Sequence, residues 1–308
     1  MKRVPYNEIT TEILIDVRSP KEYAKDHVPG AINLPLFTDE ERHIVGLLYK
    51  QQGRDEAIIK GSKYYGDKVP SFLKTMQQYK DKQIVVYCWR GGMRSETIAS
   101  LFASVGYNVK KLQGGYKAYR AWVRKRFDDL QVECHVVHGL TGVGKTEKLQ
   151  ELNFLDLEAC AGHKGSKFGH IGMQPVTQKM FESRLLQHMK PTIIVEGESR
   201  RIGDLFIPEP LWNAMKKGKH YTLTAPLQER VDRIMRDYGA HINVLINVTK
   251  TLRQPLSKKR INEICELFNT DPRQAITILL TEYYDVKYNT GVHDEYDWQT
   301  LRNILKNV

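Results

Sequence analysis

Two short stretches of this chain carry residues that can do chemistry. The first is Val86-Tyr87-Cys88-Trp89-Arg90-Gly91-Gly92-Met93-Arg94-Ser95. A cysteine beside two arginines and near a helix N-terminus favours the thiolate, which is the reactive form of the side chain. The glycine-containing turn between Cys88 and Arg94 can aim backbone N–H groups inward, a cradle that suits a tetrahedral oxyanion. Cys88, Arg90 and Arg94 are the candidate catalytic residues, and Trp89, Gly91, Gly92, Met93 and Ser95 complete the anion loop. The second stretch is Gly139-Leu140-Thr141-Gly142-Val143-Gly144-Lys145-Thr146, a complete G-x-x-x-x-G-K-T phosphate loop. Gly139, Thr141, Gly142, Val143 and Gly144 supply N–H groups to a di- or triphosphate, Lys145 a mobile cation, and the Thr146 hydroxyl a ligand for Mg2+. Lys145 is the candidate catalytic group here.

Both loops need a strand before them and a helix after them. Ile84-Val85-Val86-Tyr87 reads as a buried parallel strand ending at Cys88, and Ile98, Leu101, Phe102 and Val105 continue at helical spacing until Gly106. Cys134–His138 reads as the strand before the phosphate loop, with Lys145–Leu152 as the helix after it. Pro191–Glu196 is a second buried strand ending in an acid, and Glu196 is placed to position a metal. Leu155–Glu158 reads as a further strand. The basic, glycine-rich loop after it, with Lys164 and Ser166, and the pair Arg200 and Arg201 are candidate substrate contacts to phosphate or RNA, and Lys110-Lys111 are candidate phosphate contacts.

The bulk numbers bound the reading. A chain of 308 residues suggests about two domains. Its net charge of +11 favours a polyanionic partner, such as nucleic acid or a phosphate-rich ligand. Four cysteines without a C-x-x-C pair exclude a disulfide framework and a zinc ribbon, and fit a reducing cytosol. No signal peptide or membrane-spanning run is expected. No histidine or cysteine group has zinc spacing.

The expected architecture is α/β throughout. An N-terminal domain covers 1–122 with an insertion at 37–69, a linker covers 123–132, and a parallel-sheet phosphate-loop domain with a helical C-terminal part covers 133–308. The insertion should form a helix, a turn at Gly53 and a second helix. Arg124-Lys125-Arg126 marks the linker. Arg230, Arg233 and Arg236 should lie on a late helix, following the strand Leu223–Pro226. Tyr283-Tyr284 reads as a packed aromatic helix or a base-stacking surface.

Asp16-Val17-Arg18, Glu22-Tyr23, His27-Val28 and Gly30-Ala31-Ile32-Asn33-Leu34-Pro35, followed by the Cys88 loop and Gly114-Gly115-Tyr116, resemble the rhodanese domain. That resemblance implies an α/β domain carrying sulfur or selenium on the loop cysteine. Five residues separate Cys88 from Arg94, as in phosphatases of the same fold, and this points to a larger anion than thiosulfate. Taken with Tyr49–Arg54, Gly139–Thr146, Gly162–Gly169 and Val195–Ser199, the chain resembles the tRNA 2-selenouridine synthase family. The resemblance implies a cytoplasmic transferase acting on tRNA with 2-thiouridine at the wobble position. Geranyl diphosphate would alkylate the sulfur at the phosphate loop, and selenophosphate-derived selenium would then displace it at Cys88. Gly53 and its neighbours would line the geranyl or tRNA path. No tightly bound cofactor is implied, and Mg2+ on Thr146 stays open. The alternatives are an ATP-dependent kinase or NTPase fused to a sulfur carrier, a regulatory tRNA-binding module, and a phosphatase.

Overall fold

A computed structural model describes residues 1–162, 176–197, 199–287 and 293–308. The chain divides into two compact units, one of Met1–Asp129 with Val176–Gln187, the other of Leu130–Pro175 with His188–Val308.

In the first unit, β1 (Arg3–Val4), β2 (Ile13–Asp16), β3 (Ile32–Asn33), β4 (Gln83–Tyr87) and β5 (Asn108–Leu112) form a sheet in the order β1-β5-β4-β2-β3. Every pairing in it is parallel. Parallel sheets need cover on both faces, which explains why Ile84, Val85, Val86 and Tyr87 form one continuous apolar run with no exposed surface. Strand periodicity puts Cys88 on the face of Ile84 and Val86, and all three join one core with Phe72, Ile98 and Phe102. The helices are α1 (Pro20–Lys25), α2 (Asp39–Gln51), α3 (Arg54–Gly66), α4 (Val69–Met76), α5 (Met93–Ser104) and α6 (Gly115–Asp128). The insertion is the expected hairpin, α2 and α3, turned by Gly53 at φ 97°. Thr38 caps α2 with a reciprocal pair of bonds to Glu41, at 3.2 and 2.8 Å.

The second unit holds β6 (Glu133–His138), β7 (Phe154–Leu155), β8 (Thr192–Glu196), β11 (Lys219–Leu223) and β12 (Glu295–Tyr296) in the order β12-β11-β6-β8-β7, again parallel. A small antiparallel hairpin joins β9 (Arg201–Ile202) to β10 (Leu205–Phe206). Its helices, in chain order, begin with α7 (Lys145–Leu149) and α8 (Leu157–Ala161). The helix that follows in the chain, α9 (Gln178–His188), belongs through Gln187 to the first unit and not to this one. The chain then forms α10 (Glu209–Lys217), α11 (Leu227–Tyr238), α12 (Ile242–Thr251), α13 (Lys258–Leu267), α14 (Pro272–Leu279), α15 (Asp285–Lys287) and α16 (Trp298–Leu305). Phe268, Ile264, Ile276 and Tyr283 form a helical core shared by α11–α14, so Tyr283 packs inward rather than stacking bases. No helix among the described residues is long and apolar enough to cross a membrane.

Three expectations are corrected. The segment read as a linker or connecting helix is mostly the end of α6, so it is helix rather than a separate linker through Asp128. Its basic triplet is exposed, while Val123 and Phe127, four residues apart, are buried on the opposite face. Of Leu155–Glu158 only Leu155 is strand, paired with Phe154 in β7, because Asp156 accepts a bond from the Ala159 N–H at 2.7 Å and starts α8 instead. The helix after the phosphate loop stops at Leu149. In addition, α9 joins a different unit from its sequence neighbours, and its Ser183 lies in a buried polar network.

That network starts at Asp16 and Arg18, both sealed from water. Arg18 donates through Nε and Nη2 to Asp16 at 2.9 and 2.6 Å and through Nη2 to the Asp26 carbonyl at 2.7 Å. Its guanidinium lies 3.8 Å from the centre of the Tyr116 ring. Asp26 accepts from the Tyr116 hydroxyl at 2.7 Å and the Ser183 hydroxyl at 3.1 Å, with Arg120 at 3.5 Å. Removing one member of a sealed pair leaves an uncompensated charge, so Arg18→Ala should cost about 3–5 kcal/mol. Urea unfolding followed at the first unit's transition tests this, and a loss below about 1 kcal/mol would contradict it.

Candidate functional site

Cys88 lies at the tip of β4, the strand between β5 and β2. The chain leaves β2 toward β3 on one side and β4 toward β5 on the other, so this is the switch point where parallel sheets open a crevice. The Cys88 thiol is buried and donates to the Ser95 hydroxyl at 3.3 Å, and that hydroxyl donates to the Gly92 carbonyl at 3.0 Å. The N-terminus of α6 holds the loop from behind: the Tyr116 and Lys117 N–H groups each donate at 2.9 Å, to Cys88 and Trp89. Gly115, at φ 61°, permits this approach, because a Cβ there would lie 2.3 Å from the Cys88 carbonyl oxygen. Gly91 turns the loop at φ 68°.

The two arginines do not flank the sulfur equally. Arg94 donates to both oxygens of Glu22, at 2.7 and 3.4 Å, and Arg42 stands 3.9 Å from the same carboxylate. The guanidinium expected to serve the anion is therefore already paired. Arg90 and Trp89 are exposed. Burial raises the Glu22 carboxyl, but the Arg94 hydrogen bond and charge, the Ser19 N–H and Arg42 outweigh it and hold the group below its ordinary value.

Beside this loop is a cavity of about 730 Å³ between the insertion hairpin and the start of α5. Phe37, Val45, Leu47, Ala57, Ile58 and Met93 line it with apolar surface. Arg42, Lys50, Arg54 and Arg94 line it as well and supply positive charge. Gly53 is not in the wall; it turns the hairpin so that its neighbours Lys50 and Arg54 are.

In the second unit the phosphate loop follows β6, which has β8 on one side and β11 on the other. Lys145 Nζ donates to the Gly139 carbonyl at 2.9 Å. Gly139, Gly142 and Gly144 have φ of 157°, 84° and 80°. Helix α11 braces the loop. Arg230 donates to the Thr141 carbonyl at 2.9 Å and pairs with Asp285 at 2.6 Å. Arg233 donates to the Gly142 carbonyl at 2.6 Å and to Glu147 at 3.0 Å, and Arg236 reaches Glu147 at 2.8 Å. A Cβ on Gly144 would meet Arg233 Nε at 2.6 Å. Val143 is buried, and Thr146 opens α7 next to Lys145. Glu196 is buried at the end of β8, in register with Val137.

The remaining candidates lie apart from these loops. Arg200 stands 3.9 Å from Glu209, and Arg201 pairs with Asp204 at 2.8 Å beside the small hairpin. Lys111 is buried against Glu96, and Lys110 reaches Gln83 at 3.2 Å, so neither is a free phosphate contact. Lys164 and Ser166 lie outside the described residues.

A model of the tRNA 2-selenouridine synthase AAA domain matches residues 132–257, and one of the rhodanese-like domain matches residues 6–121. A tRNA 2-selenouridine synthase of Hydrogenovibrio crunogenus is 34% identical, covering 90% of this chain and 88% of its own. One from Sulfurovum sp. is 32% identical, covering 94% and 89%. One from Chromohalobacter salexigens is 40% identical, covering 73% and 64%. The chain belongs to the tRNA 2-selenouridine synthase family.

In this member of the family, sequence reasoning passed over two groups. Glu22 was legible only as part of the Glu-Tyr signature; its partner Arg94 is far away in the chain. His138, His220 and His293 come from three distant segments and form a cluster whose ring nitrogens lie within 4.8 Å of one another. Burial, then the charges of His220, His293 and Lys145, push His138 down to about 4.

The Glu22 shift has a testable consequence. A folded pKa below the unfolded value, about 4.3 for Glu, adds stability that is present above that value and lost as pH falls through the folded one. Glu22→Gln should lower the denaturant midpoint near neutral pH, and its gap to wild type should narrow in acid below about pH 4. A gap that stays constant into that range contradicts the pairing.

Proposed function

We propose that this chain converts 2-thiouridine at the tRNA wobble position to 2-selenouridine in two steps. In the first, the thiouridine sulfur attacks C1 of geranyl diphosphate, and diphosphate departs with the C–O electron pair. The phosphate-loop N–H groups and Lys145 would stabilise that leaving charge, the largest electrostatic demand of the step. In the second, selenophosphate-derived selenium adds at C2 of the pyrimidine and the alkylated sulfur leaves as geranylthiol. Cys88, Ser95 and the surrounding loop would manage the selenium.

The observation that carries this reading is the apolar, cation-lined cavity that shares Met93 and Arg94 with the Cys88 loop. A sulfur carrier for a small anion has no use for about 730 Å³ of largely apolar space. A ten-carbon chain attached to a nucleotide does, because its tail needs apolar walls and its phosphates need nearby cations. The family relationship supports the tRNA substrate, and the net charge of +11 suits its backbone. The Thr146 hydroxyl and the Glu196 carboxylate are oxygen donors of the kind Mg2+ takes. Glu196 is buried beside the β6 tip, so these two residues would hold the ion, which would supply charge neutralisation to the diphosphate.

Mass spectrometry of nucleosides from 2-thiouridine tRNA tests the division of labour. With geranyl diphosphate alone, wild type and Cys88→Ala should yield geranylated thiouridine, while Lys145→Ala should fall by about 10²-fold or more. With selenophosphate added, selenouridine should require Cys88. Ala57→Trp, which fills the cavity, should slow the selenium step and leave the Cys88 loop intact. ATP hydrolysis without tRNA modification would instead support the kinase reading.

A further inference from the structure

We propose that His138, His220 and His293 form a binding site for a divalent transition-metal ion of the Zn2+ class, at the root of the phosphate loop. The site is independent of the selenium and geranyl chemistry proposed above, and nothing in that chemistry requires it.

The ring arrangement carries the inference. The three imidazole centroids lie 5.1, 5.1 and 4.9 Å apart, and every pair of ring planes is within 20° of parallel. Three rings in a pile would leave the outer two about twice as far apart as neighbours; three nearly equal distances place the rings at the corners of a triangle, and one nitrogen of each lies within 4.8 Å of the others. An ion with Zn–N bonds of about 2.0–2.1 Å in tetrahedral geometry places its donor nitrogens about 3.4 Å apart. His138 Nε2 and His220 Nδ1 are 2.8 Å apart, and all the donor atoms lie within 4.8 Å of one another, so the needed shifts are below about 1.5 Å.

The surroundings fit a metal site in two further ways. His220 Nε2 faces the Lys216 carbonyl at 3.4 Å, which favours a proton on that nitrogen and turns the Nδ1 lone pair toward the cluster. Thr222 pairs in register with His138 and lies two residues along β11 from His220, so all three side chains share one face of the sheet. The Thr222 hydroxyl is buried and has no hydrogen-bond partner among the described residues. A buried hydroxyl so placed is a group that a bound water or ion can satisfy. On metal binding, each imidazole gives one lone pair. The proton held between His138 and His220 then moves to the outer nitrogen of His138, so all three rings stay neutral. An all-imidazole donor set suits Zn2+, Ni2+ or Cu2+ and not Mg2+, which takes oxygen. The site is thus distinct in chemistry from any ion on Thr146. Because His138 directly precedes Gly139, a bound ion would fasten the end of β6 to β11 and to the segment entering β12.

The test uses the full chain, stripped of metal, with Co2+ and Zn2+ as probes. Wild type should bind one equivalent of Co2+ with visible bands of a nitrogen-rich site and no thiolate charge-transfer band. Zn2+ should displace it and raise the melting temperature. His293→Ala and His220→Asn should each weaken binding at least tenfold, and the exposed His241→Ala should not change it. The proposal is overturned if wild type binds less than one equivalent at micromolar metal, if the variants bind as tightly as wild type, or if a thiolate band appears. Should the variants fail to fold, the wild-type stoichiometry and Co2+ spectrum still decide.

Discussion

The carboxylate of Asp26 has no contact with water, and a charge so placed must be answered by fixed partners. Its partners are the Tyr116 and Ser183 hydroxyls and the Arg120 guanidinium, while its carbonyl answers Arg18. Those side chains come from the end of β2, from α6 and from α9. Their positions are therefore set together. Tyr116 is also the second residue of α6, and its N–H holds the Cys88 carbonyl. The electrostatics of a site sealed from solvent thus help to determine where Cys88 sits.

The Cys88 loop and the phosphate loop are built in the same way. Each leaves the tip of an interior parallel strand and turns on glycines at positive φ. The charges around them are used differently from what their types suggest. Arg94 is held by Glu22, and Arg230 and Arg233 are held by acids and by loop carbonyls. These arginines brace loops with their rigid, many-donor heads. Lys145, by contrast, holds a single loop carbonyl and keeps the flexible stem that can follow a phosphate.

Most of this was legible where chemistry and local pattern coincide. The Cys88 loop, the phosphate loop, the strands β4, β6 and β8 and the helical hairpin with its Gly53 turn can all be read from the sequence, because short-range rules govern them. The charged end of α6 read as a linker or connecting helix, because its basic triplet hides the spacing of Val123 and Phe127 that packs it as part of α6. The pairing of Arg94 with Glu22, the brace from α11 and the histidine cluster could not be read. Each joins residues far apart in the chain, and only the sheet order brings them together. The cavity was invisible for a related reason: apolar residues on α2 and α3 look the same whether they fill a core or line a space.

Helix α9 has a further implication. The polypeptide completes Met1–Asp129, builds part of the second unit, and only then supplies Val176–Gln187 to the first. A gene fragment cut after the rhodanese-like region would encode every strand of that sheet and the cysteine itself. It would nonetheless lack Ser183 and Glu182, leaving Asp26 and Arg120 facing solvent or each other. The two units are therefore interleaved along the polypeptide: residues 176–187, which belong to the first, lie past the midpoint of the 308-residue chain.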